Sequence, residues 1–117
     1  MPYIKADDGR REALRKGEPA LSAGELNYQI FYHVKHTNFD SDDTRLIRDI
    51  TGFVEQFLGA KPNYQRYNDM TGALIRCQKE IERRLCLVVD LEYIMQSYDE
   101  RINAYEDEKI KENSDVE

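Results

Sequence analysis

The stretch from Asn68 to Tyr105 contains no proline and no glycine after Gly72, and its apolar residues fall in steps of four and three. From Met70 they run through Leu74, Cys77 and Ile81, then Val88, Leu91, Met95, Tyr98, Ile102 and Tyr105. This is a heptad stripe, and it predicts one helix over about 68–104, interrupted only where Arg84 takes an apolar position. Such a helix spans roughly 55 Å, more than a domain of this size needs to cover its own core. The surplus apolar edge is therefore expected to pair with further copies of the chain.

Two medium helices are expected to pack on this long one. Ser22 followed by Glu25 has the form of a capping box and opens a helix over about 23–36. Leu26, Ile30 and Val34 form its stripe, while Tyr28, Phe31 and Tyr32 widen the apolar arc, so it is covered on more than one side. The second helix, about 42–58, carries Leu46, Ile47, Ile50, Phe53, Val54, Phe57 and Leu58 on one face and ends at Gly59 and Pro62. Asn63 and Asn68 are both possible caps for the long helix.

Residues 1–21 read as a polar arm with a short helical turn around Arg10 to Lys16, packed through Tyr3 and Ile4. Residues 106–117 are nearly all charged, with only Ile110 and Val116 to dock them, and should fray. The expected fold is all-α. It is one helical domain over 22–105, two medium helices on one long C-terminal heptad-patterned helix, assembled as a helical-bundle oligomer.

Charge narrows the function. The chain of 117 residues has a formal net charge of −6. Residues 99–117 carry −5 of it, leaving −1 for the rest, so no domain-wide basic field exists to hold duplex nucleic acid. No apolar window is long enough to span a membrane and no signal-peptide core opens the chain, so a cytoplasmic location is expected. Cys77 and Cys86, nine residues apart, would sit on opposite sides of one helix and read as buried reduced thiols.

Motifs for catalysis are weak. Asp40, Ser41, Asp42 and Asp43 resemble the start of a calcium loop, but Arg45 stands where that loop needs glycine. Helix capping explains the cluster. His33 and His36 share a face with Asp40 a turn on, which is short of a metal site. No nucleophile elbow or phosphate loop occurs, and no cofactor or metal is expected.

The constellation that does point to chemistry is basic and aromatic. Arg76 and Arg83 lie on one face with Lys79 and Glu80 between them, and Arg84 enters the stripe itself. A guanidinium there is either paired in a buried network, with Glu80, Glu82 or Asp90, or faces a ligand cavity between subunits. With Tyr28, Tyr64 and Tyr67, the three arginines form a candidate site for a small nucleotide-like anion, rings against a base and forks against phosphate.

The opening MPYIK, GELNY at 24–28, YNDMTGAL at 67–74, the pair Arg83-Arg84 and the ending YEDEKIKENSDV resemble a family of short uncharacterised bacterial, archaeal and phage proteins. Ala104 stands where that pattern has proline, and Ser114 where it has glycine, so the helix is expected to continue where relatives break. The resemblance implies no activity, but its phage members suggest an anti-defence role. The expectation is then a non-catalytic homo-oligomer that sequesters a cyclic nucleotide or ADP-ribose-type immune signal in the host cytoplasm. The alternative is an interaction module whose long helix is only an oligomerisation surface.

Overall fold

A computed structural model of the chain describes residues 9–37 and 44–113. It contains five helices among these: α1 (Gly9–Arg15), α2 (Ala23–Lys35), α3 (Thr44–Leu58), α4 (Tyr64–Leu85) and α5 (Leu91–Asn113). The fold is all-α, with no strand among the described residues.

The long helix is the main correction. The expected rod over 68–104 is two helices joined by a five-residue connection, and α5 folds back against α4. Helix α4 ends at Leu85, and Cys86 takes the left-handed conformation, with φ 54°. The Asp90 carboxylate then accepts a hydrogen bond from the Tyr93 N–H at 3.1 Å and caps α5. Folding back lets Leu91, Ile94 and Tyr98 bury themselves in the same core as Leu74, Cys77 and Ile81. A single chain thereby covers most of the stripe that was expected to need a partner.

Other boundaries follow the local chemistry. Ser22 Oγ accepts from the Glu25 N–H at 3.2 Å, the first half of the capping box. Glu25 does not close the second half; its carboxylate accepts from the Leu21 N–H and from Arg10 instead. Of the two possible caps for α4, Asn63 serves, accepting from the Arg66 N–H at 2.9 Å. Helix α3 stops at Gly59, whose φ of 76° suits glycine. The short helical turn of the arm is α1, while Tyr3, Ile4 and residues 38–43, with Asp40 among them, lie outside the described part.

Helix α5 runs through Ala104 and on to Asn113, with every residue from Glu106 to Asn113 exposed. Ile110 does not dock, and Lys109 reaches Glu112 at 3.3 Å within the helix. No helix among the described residues is long and apolar enough to cross a membrane.

Cys77 is buried, its thiol pushed up to about 12 by desolvation, whereas Cys86 is exposed at the break. A left-handed residue with a side chain carries a steric cost that glycine avoids. Cys86→Gly should therefore raise stability by about 0.5–1 kcal/mol in urea unfolding. An unchanged or lower midpoint would show that the cap is unstrained.

Candidate functional site

The sequence of α2 places Tyr28, Phe31, Tyr32, Lys35 and His36 at helical spacings of three and four, so they share one face. Helix α1 lies across that face and contributes Arg11 and Arg15, one turn apart, while the last turn of α4 contributes Arg84. Together these eight residues line a cleft of about 250 Å³. None of the described residues lining it is acidic.

Rings and cations alternate across the cleft. Tyr28 and Tyr32 have ring centroids 6.0 Å apart, and Tyr32 and His36 are 4.3 Å apart. The Arg15 guanidinium carbon lies 4.7 Å from the Tyr32 centroid, Arg11 5.3 Å from Tyr28, and Arg84 4.8 Å from Phe31. Arg15 Nε donates to the Tyr28 hydroxyl at 2.7 Å, which fixes the fork while leaving its terminal nitrogens.

Part of this basic charge complements the helices themselves. Arg15, Lys35 and Arg84 each sit in the last turn of their helix, where the backbone carries about half a negative charge. Three such ends amount to about −1.5, set against the four cations that line the cleft.

The wall made by α1 is held by polar contacts. Arg10 donates to both carboxylate oxygens of Glu25, at 2.7 and 3.0 Å, and Gln29 donates to the Leu14 and Glu18 carbonyls, each at 2.9 Å. The Arg10 hydrogen bond, opposed by partial burial, holds the Glu25 carboxyl below its usual range.

The sequence-predicted site is only partly assembled. Tyr28 and Arg84 meet in the cleft, whose lining residues all come from one chain. Arg83 pairs with Glu80 at 2.8 Å, the structural alternative, and this holds the Glu80 carboxyl down. Arg76 is exposed and lines no part of the cleft. Tyr64 and Tyr67 lie at the opposite end of α4, roughly 25 Å away along the helix, around a smaller pocket with Tyr105.

Arg11, Arg15, Lys35 and Phe31 went unrecognised in the sequence. The i, i+4 spacing of Arg11 with Arg15, and of Tyr28 with Tyr32, was the available signal. The two histidines also separate: His33 reaches Asp49 of α3 at 3.2 Å, while His36 lines the cleft. No group of three or more metal-ligating side chains occurs among the described residues.

The fold and cleft define a small helical protein with a basic, aromatic-lined recess among its described residues. The chain belongs to a family described as a domain of unknown function (DUF6899), whose model matches residues 1–116. No match was found among curated proteins or among solved structures.

Because the Glu25 carboxyl is depressed in the folded state, its contribution is present above its ordinary value of 4.5 and is lost as pH falls through the lower folded value. Glu25→Gln should cost about 1 kcal/mol at pH 7, allowing for solvent screening, with the deficit shrinking below pH 4.5. Denaturant unfolding at pH 7 and pH 3 measures this.

Proposed function

We propose that this chain is a non-catalytic binding protein for a small nucleotide-like anion. The observation that carries the reading is the meeting of four cations with Tyr28, Phe31, Tyr32 and His36 in one recess of a chain whose net charge is −6. Arginine forks suit phosphate oxygens, and rings suit the face of a planar base. Arginine and lysine side chains hold their charge through neutral pH, which suits holding an anion.

The fuller form of the proposal is sequestration of a nucleotide-derived immune signal by a phage protein. Its support is the family resemblance and the chemistry of the cleft. Calorimetry against mononucleotides, cyclic nucleotides and ADP-ribose-type ligands tests it. Arg84→Gln, at an exposed position, should weaken whichever ligand binds by about tenfold, roughly 1.4 kcal/mol, with the helical signal intact. No heat with any member of the panel removes the proposal.

A second reading, a self-assembling interaction module, is favoured by the α4–α5 corner. There Val88 is 85% and Tyr93 62% exposed, beside Leu46, Ile47 and Leu87. In this reading Val88→Asp converts an oligomer to a monomer in light scattering. A wild-type chain that is already monomeric at high micromolar concentration rules it out.

A further inference from the structure

Resting on the anion-binding reading above, we propose that the cleft takes one nucleotide per chain with a terminal phosphate monoester, in preference to cyclic nucleotides and dinucleotides. Size is the first argument. A recess of about 250 Å³ lies below the roughly 300–1,000 Å³ of sites that enclose drug-sized ligands, which leaves room for one ring and one phosphate group.

Charge is the second argument. Arg11 and Arg15 approach from α1, Lys35 from α2 and Arg84 from α4, so cations surround the recess from three helices. A phosphate monoester carries about −1.5 to −2 and three acceptor oxygens at neutral pH. A cyclic diester carries a single negative charge and presents fewer free oxygens, so it meets fewer of these donors. Arg15, whose Nε is committed to the Tyr28 hydroxyl, presents its terminal nitrogens to such a group.

The rings set the orientation. Tyr28 is buried, Tyr32 half-buried and His36 exposed, and their centroids follow one another at 6.0 and 4.3 Å. A planar base laid against His36 extends this series outward by one ring, with the phosphate turned inward to the cations. His36 and Tyr32 then act on the base, and Lys35 with the arginines on the phosphate.

The test is calorimetry of the full chain at low salt with inorganic phosphate, adenosine, adenosine 5′-monophosphate and adenosine 3′,5′-cyclic monophosphate. The 5′-monophosphate should bind one per chain, about tenfold or more tighter than either the cyclic ester or phosphate. His36→Ala should bring its affinity down toward that of phosphate, and Lys35→Gln should weaken both. Both side chains are exposed, and circular dichroism verifies that the variants fold. Equal or tighter binding of the cyclic ester, or one ligand per two chains, overturns this inference and leaves anion binding standing. Failure of these ligands and of the whole wider panel overturns both.

Discussion

The burial of α2 is the constraint on which the rest depends. Leu26, Ile30 and Val34 are fully buried, as are Met70, Leu74, Cys77 and Ile81 on α4, the helix that lies longest against it. The Cys77 thiol donates to the Asn27 carbonyl at 3.7 Å, which marks how closely the two helices approach. Each such apolar side chain contributes about 1.5–3 kcal/mol on burial, so this seam sets where the face carrying Tyr28, Tyr32 and His36 points. Helix α1, by contrast, buries only Leu14 among its residues and is held by Arg10, Glu25 and Gln29. One wall of the cleft is thus hydrophobically anchored and the other is polar, and the polar wall is the one sensitive to salt and acid.

Gln29 illustrates the compromise at that junction. Its amide nitrogen serves two carbonyls at the end of α1, but its side-chain oxygen, like that of Asn27, has no partner among the described residues. An orphaned buried acceptor costs about 1–3 kcal/mol. Both sit on α2 where it is covered by other helices, so the tight packing that orients the cleft also shuts these oxygens away from water.

The heptad reading of residues 68–105 failed for a physical reason. Apolar spacing is the same for one rod and for two helices folded together, because the five-residue connection carries the register across without a visible skip. Glycine or proline would have marked the break, but Cys86 occupies the left-handed cap and Val88 and Val89 are ordinary β-branched residues. Two weak signals were there: Arg84 interrupts the stripe within two residues of the break, and Asp90 stands three before Tyr93 as a cap should. The all-α class and the start of α2 were legible because the Ser22 cap is local, whereas α4 begins at Tyr64, ahead of the start expected near 68. Of the cleft's lining, Tyr28 and Arg84 were singled out in the sequence, whereas their convergence with Arg11 and Arg15 depends on the crossing of α1 over α2. No spacing within either helix encodes that crossing.

Residues 99–117 carry −5 of the net −6, so charge is spread unevenly over the fold. The Tyr64 N–H donates to the Tyr105 hydroxyl at 3.0 Å, which pins the acidic end of α5 beside the start of α4. Arg84 and the cleft lie at the other end of α4, twenty residues on, roughly 30 Å along the axis. At 0.1 M salt the screening length is about 10 Å, so the acidic extension scarcely reduces the potential in the cleft. At 0.01 M it is about 30 Å, comparable to the separation, and the acidic end then opposes the entry of an anion. Lowering the salt therefore strengthens the local attraction and the remote repulsion together, and an anion entering this cleft meets a shallower salt dependence than four cations alone would give.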